Sequence, residues 1–237
     1  MEQKKETFEK IESILTKEGL SAGDFIAYSG EKKSRLLNLN RMNLDRILEY
    51  YYGIENNIYS QNEKGKQLED LANILFYEGY PSIFECKRNC RTSTNEIDLL
   101  VSWNSYARLN QLSRAFPCFG DSFLCECKNY NGKIGVTYIG KFYSLLRAAN
   151  LSLGIFISWH GITGKGWKDA EGLVKKIALK DQIYIIVIDK GAILELGEGR
   201  NNIFNLINDK YQALKNDIDY SQYIIKHECE DIFCKND

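Results

Sequence analysis

The sequence predicts a mixed α/β domain, a sheet flanked by helices in the order α-β-β-β-α-β from residue 65, entered through an N-terminal helical appendage. Three observations predict it. Segments Glu96–Trp103 and Asp121–Lys128 alternate side chains at period 2, as strands do. Leu151–Trp159 and Ile183–Asp189 are nearly continuous apolar runs, the pattern of strands buried on both faces. Between them lie stretches with apolar residues at helical spacing.

Each element follows in order. Thr7–Lys17 carries Phe8, Ile11, Ile14 and Leu15 on one stripe, and Asn43–Tyr52 carries Leu44, Ile47, Leu48 and Tyr51. These two helices and the irregular segment Gly19–Asn40 form the appendage, residues 1–60, which bears no chemical motif. The main domain is expected over residues 61–215, followed by an acidic tail, 216–237. A helix over Gly65–Glu78 buries Leu68, Leu71, Ala72, Leu75 and Phe76, and Gly79 and Pro81 stop it. Ser82–Lys87 is the first strand and Glu96–Trp103 the second, with Ile97, Leu99 and Val101 on one face. A polar, loop-like insertion, Asn104–Gly120, separates the second strand from the third. Val136–Ala149 is a crossover helix that makes the third and fourth strands parallel. The glycine-rich loop Gly161–Gly166, a helix over Trp167–Leu179, the fifth strand and a closing helix over Asn202–Leu214 complete the domain.

Composition narrows the function. The 237 residues are 44% hydrophobic and 27% charged, ordinary for a globular chain, and only two are proline. The longest apolar run is far below the roughly 20 residues of a membrane-spanning helix, and the charged N-terminus has no signal-peptide core. A cytoplasmic protein is therefore expected, its seven cysteines present as thiols. A net charge of −1 hides an uneven distribution. Lys128–Lys180 holds nine basic residues against Asp169 and Glu171, a balance of +7, whereas the last 22 residues carry −4. A basic stretch attracts phosphate, although solvated helix faces account for the same charges. With only His160 and His227 present, histidine-based nucleophilic catalysis is poorly supplied. Cys86/Cys90 and His227/Cys229/Cys234 do not have the spacing of a standard zinc module.

The chemistry concentrates on two strands. In the third, Phe123, Cys125 and Cys127 share one face while Leu124, Glu126 and Lys128 share the other. The second strand puts Asp98 among apolar neighbours. Two carboxylates partly buried together repel unless a proton or cation offsets them. A hard divalent ion with oxygen ligands is the natural compensation, and Mg²⁺ typically takes one or two carboxylates plus phosphate oxygen. Lys128, on the face of Glu126, is placed to bind phosphate or to act on an attacking water. Glu69, on the preceding helix, supplies a third acid. The set suits hydrolysis of a phosphodiester.

These residues resemble the PD-(D/E)XK nuclease superfamily, and more closely its Mrr-like, type IV restriction endonuclease branch. The likeness spans about Gly65–Trp159 and rests on Leu68-Glu69, Asn95-Glu96-Ile97-Asp98, Glu126-Cys127-Lys128-Asn129, Lys133-Ile134-Gly135 and Ile139-Gly140-Lys141-Phe142. It departs from the motif at Ile97, where the family often has proline, and in the 17-residue insertion 104–120. The resemblance implies a restriction-endonuclease-like core and a metal-dependent DNA endonuclease acting in restriction or phage defence. Asp98 and Glu126, with the main-chain carbonyl of Cys127, would hold Mg²⁺, for which Mn²⁺ could substitute. Glu69 would orient the attacking water or support the ligand shell, and Lys128 would polarise it and steady charge on the phosphate. Lys133, Lys141 and Lys165 are candidate contacts to the nucleic-acid backbone. A homodimer or higher oligomer and a defence-system partner protein are further expectations. An inactive nucleic-acid-binding module of the same fold, or a nuclease acting on RNA, fits the same motif.

Overall fold

A computed structural model describes residues 2–21, 24, 37–91, 96–109 and 111–217. Its strands are β1 (Phe84–Arg91), β2 (Glu96–Trp103), β3 (Ser122–Lys128), β4 (Leu153–Ser158) and β5 (Tyr184–Ile188). Its helices are α1 (Glu2–Lys17), α2 (Arg41–Glu55), α3 (Gln61–Asn73), α4 (Ser105–Leu109), α5 (Leu112–Ala115), α6 (Val136–Ala148), α7 (Asp169–Asp181), α8 (Lys190–Gly197) and α9 (Ile203–Asp217). The strands form one sheet in sequence order, β1-β2-β3-β4-β5. β1 to β3 are an antiparallel meander, and β3, β4 and β5 are parallel. This is the mixed sheet flanked by helices expected of a restriction-endonuclease-like fold.

Alternation along the strands divides the interior into two cores. Phe123 and Cys125 of β3, Ile155 and Ile157 of β4, and Ile186 and Ile188 of β5 face α2, α3, α8 and α9. On the other face Leu124, Phe156 and Ile185 meet Ile139, Phe142 and Leu146 of α6 and Val174 and Ile177 of α7. Gly154 lets α6 approach β4 closely: a Cβ there would lie 2.6 Å from Phe142 and Leu146 side-chain atoms. The third helix begins earlier than its apolar stripe indicates. A Ser60/Glu63 capping box starts it, the Glu63 carboxylate accepting from the Ser60 N–H at 2.8 Å. It widens into a π-helical turn over Ile74–Glu78 and stops at Gly79, as expected.

Three features depart from the periodicity. Residues 104–120, expected as a polar loop, form α4, α5 and a 3-10 turn at Pro117–Phe119. They bury Leu112, Phe116 and Phe119, and Phe119 packs among Phe84, Trp103 and Phe204. The apolar side chains are too irregularly spaced to register as one helix, yet burial of each still stabilises the fold. The helix α8 had no counterpart in the expected element order; at eight residues it is too short for a periodic stripe. Asp189 caps it, accepting from the Ala192 N–H at 3.0 Å. Finally, α2, expected within an appendage of residues 1–60, buries Ile47, Tyr51 and Ile54 in the larger core. The Phe8, Ile11 and Ile14 stripe of α1 is exposed. No described helix is long and apolar enough to cross a membrane. His227, Cys229 and Cys234 lie outside the described residues.

Candidate active site

The site forms where two strands part. β2 pairs with β3 through Leu99↔Cys125, and β3 pairs with β4 through Lys128↔Ser158. The last three residues of β3 are therefore held on the β4 side and released on the β2 side. Asp98 fills this fork. Its Oδ2 accepts from the Cys127 N–H at 2.7 Å, in place of the ladder bond that a continuing β2 would have made. In an antiparallel pair the N–H and C=O of one residue face the same neighbouring strand, so the Cys127 carbonyl also faces the Asp98 side. Ile97, expected on the face of Leu99 and Val101, packs instead in the smaller core with Leu124 and Phe142.

Glu126 and Lys128 emerge from the same face of β3, and Lys128 Nζ lies 2.5 Å from Glu126 Oε1. Glu126 is only 8% exposed, and its Oε2 is buried without a hydrogen-bond partner. Burial raises the Glu126 carboxyl above its ordinary range, the Asp98 charge raises it further, and Lys128 only partly offsets them. Burial works most strongly against the Lys128 ammonium, but the bond to Glu126 and the Glu126 and Asp98 charges together outweigh it, and its pKa is raised. Cys127 adjoins Cys125, and that contact together with burial holds its thiol well above the ordinary range. At neutral pH it is neither a nucleophile nor a thiolate ligand.

The third helix brings the remaining acid. The Cys127 thiol contacts the Leu68 carbonyl, S···O 3.7 Å, which docks α3 on the site-bearing strand. Glu69, the next residue, is half-buried, and its carboxyl is raised by burial first and by the Asp98 charge second, with Lys128 and Arg88 opposing. Glu69, Asp98, Glu126 and Lys128 are thus electrostatic neighbours although they come from three elements. Asp70, beside Glu69, pairs with Arg88 of β1 at 3.1 Å.

The three candidate backbone-contacting lysines are all exposed. Lys133 and Lys165 lie in the loops that leave the carboxyl ends of β3 and β4. Those loops are laced together: the Ile134 N–H donates to the Gly161 carbonyl at 3.0 Å, and the Thr163 N–H donates to the Ile134 carbonyl at 2.8 Å. Gly164, at φ +104°, permits the turn, since a Cβ there would lie 2.2 Å from the Lys168 carbonyl oxygen. Lys141 sits on α6 with its ammonium 5.8 Å from the Tyr138 ring. Sequence reasoning did not single out Tyr130, whose ring is 5.0 Å from that of Tyr138 and whose phenol feels the Lys128 and Glu126 charges. Its position two residues beyond Lys128 was the available signal.

The donor set fits a hard divalent cation. The fork offers two carboxylates, one with a buried oxygen that no donor satisfies, and a backbone carbonyl. Among the described residues no three His, Cys, Asp or Glu side chains converge as a metal cage. Mg²⁺ commonly takes one or two carboxylates and fills its remaining positions with water and phosphate.

Comparison with known proteins gives one family match. A family model described as restriction endonuclease matches residues 60–195. Five solved chains are similar in structure. One is the DNA modification-dependent restriction endonuclease AspBHI, at 13% identity and a TM-score of 0.36, covering 78% of this chain and 42% of that chain. No curated protein matches.

Proposed function

Since the chain belongs to the Mrr-like restriction endonuclease family, with the match running over residues 60–195, we propose that it is a divalent-metal-dependent endonuclease that hydrolyses DNA phosphodiesters. The observation that carries the proposal is the fork itself: Asp98 binds the Cys127 N–H, and the neighbouring Glu126, which feels the Asp98 charge, keeps one buried oxygen without a donor while its other oxygen pairs with the Lys128 ammonium. Asp98, Glu126 and the Cys127 carbonyl would hold Mg²⁺ or Mn²⁺. When bound, such an ion supplies Lewis acidity and neutralises charge on the phosphate.

The chain's own groups do the rest. Lys128, anchored by Glu126, presents an ammonium that orients the attacking water and stabilises charge developing on the phosphate oxygens. Glu69 retains a proton to a higher pH than an ordinary glutamate, so it is suited to exchange a proton with water at the rim of the site. Water oxygen forms the new P–O bond, the bond to the departing sugar oxygen breaks, and that oxygen takes up a proton. Lys133, Lys141 and Lys165 would steer and hold the backbone, an interaction weakened by salt. One site per chain cuts one strand, so a double-strand break calls for two copies. Restriction or phage defence in the cytoplasm, with a partner protein of such a system, is the setting this reading favours.

Plasmid cleavage with Mg²⁺ or Mn²⁺ tests the proposal, with labelled RNA as competitor. Nicking or linearisation that is lost in Lys128→Ala and on chelation supports it. Wild type that binds DNA but cuts nothing over a range of salt would reassign the chain as a binding module.

A further inference from the structure

Beside the fork, at the carboxyl ends of β3 and β4, lies a second concavity of about 260 Å³. Asn57, Lys64, Tyr130, Asn131, Trp159 and His160 line it. Its back wall is rigid. Trp159 is buried, packs on Tyr51 at 5.0 Å between ring centroids, and donates from Nε1 to Glu55 Oε2 at 3.1 Å. Lys190 closes the same corner, 2.8 Å from Glu55 Oε1. These bonds tie the end of α2 to the end of β4, so the pocket is preformed.

The lining chemistry discriminates between ligands. A phosphate group needs donors and positive charge, and here the Lys190 charge is already met by Glu55, which leaves Lys64, with one N–H donated to Asn57 Oδ1 at 2.5 Å, as the lining's one lysine without a carboxylate partner. The rest of the lining suits a flat heterocycle better: the Asn131 amide offers both donors and an acceptor, the Asn57 Nδ2 offers donors, and Tyr130, braced by Tyr138, is exposed. That combination matches the edge and face of a nucleobase. Tyr130 follows Lys128 by two residues, so a base held here would belong to a nucleotide close to the phosphate in the fork.

From this juxtaposition we infer that the pocket receives a nucleobase drawn out of the helical stack beside the phosphate to be cut, with Tyr130 stacking on its face and the asparagine amides meeting its edge. The inference rests on the nuclease reading for the location of the cut, but not for the existence of the pocket. A base must leave the duplex to reach such a pocket, and extrusion is easiest at a mismatch.

The test measures binding by Lys128→Ala protein, with Mn²⁺, to two 20-base-pair duplexes. One carries a single central mismatch; the other carries abasic sites on both strands in the same place. Both bend easily, but only the first offers a base. Affinity for the mismatch is expected to exceed that for the abasic duplex roughly tenfold, as one stacked base contributes. Adding Tyr130→Ala should reduce the ratio to within twofold, and adding Tyr130→Phe, which keeps the ring, should preserve it. Equal affinity for the two duplexes, no binding of either, or an unchanged ratio in Tyr130→Ala overturns the pocket. Cleavage by wild-type protein is scored separately, so loss of the nuclease reading and loss of the pocket are distinguishable.

Discussion

Replacing Lys128 by methionine keeps most of the side chain's volume and removes its charge, leaving Asp98 and Glu126 with no cation between them. The ammonium lies 2.5 Å from Glu126 Oε1, and the Lys128 side chain is 30% exposed. Unit charges at that separation attract by about 7 kcal/mol at an effective dielectric of 20. Desolvation of both ions and partial solvent access to Lys128 cancel most of this, so the net loss on breaking the pair is about 2 kcal/mol. In a domain of this size that lowers Tm by roughly 4–8 °C. The pH dependence is the sharper part. The pair needs Glu126 charged, and the folded Glu126 pKa is raised above 4.5, while that of Lys128 is raised above 10.5. In the wild type, a raised carboxylate favours the fold below 4.5, and that contribution is lost as pH rises through the folded pKa. Without Lys128 the folded Glu126 pKa rises further, so the variant loses more over the same ascent. Its Tm deficit should therefore be full at pH 8 and shrink as pH falls through the Glu126 titration. Thermal melts of the metal-free protein at pH 5 and pH 8 measure it, and cleavage should fall by about 10²–10³-fold in the same variant. An equal deficit at both pH values would refute the assignment of the effect to this ion pair.

Three further outcomes follow from the geometry. Asp98→Asn keeps an oxygen for the Cys127 N–H and should melt near wild type while abolishing cleavage; Asp98→Ala removes the acceptor and should melt lower by about 1–3 kcal/mol, as chemical denaturation would read. Glu69→Gln should leave Tm within a degree or two of wild type but shift the acid limb of the pH–rate profile and slow cleavage about 10²-fold; a profile identical to wild type would remove Glu69 from the reaction. Gly164→Ala places a Cβ against the Lys168 carbonyl at positive φ and should destabilise by about 1–3 kcal/mol, with faster amide exchange at Thr163, whose N–H ties this loop to Ile134.

Much of this protein was legible in one dimension because the relevant physics is local. Period-2 alternation placed Glu126 and Lys128 on one face and Cys125 and Cys127 on the other. Unbroken apolar runs marked β4 and β5 as buried on both faces, and acid-x-lysine after an isolated acid pointed to phosphodiester chemistry. The insertion 104–120 reads as a polar loop for the converse reason: Leu112, Phe116 and Phe119 follow no period, and only the surfaces of Phe84, Trp103 and Phe204 show that they have somewhere to pack.

By itself, then, the sequence determined the order of the elements, the two faces of β3 and the residue types available for catalysis. Tertiary structure decided that β3 leaves β2 after Cys125 while staying on β4 to Lys128, so that the Asp98 carboxylate, and not a backbone carbonyl, receives the Cys127 N–H. It also decided that α2 belongs to the main core and that Tyr130 and Asn57, 73 positions apart, line one pocket. Where a ladder ends depends on sheet twist and on what packs against each strand, and neither is encoded within reach of the residues that part.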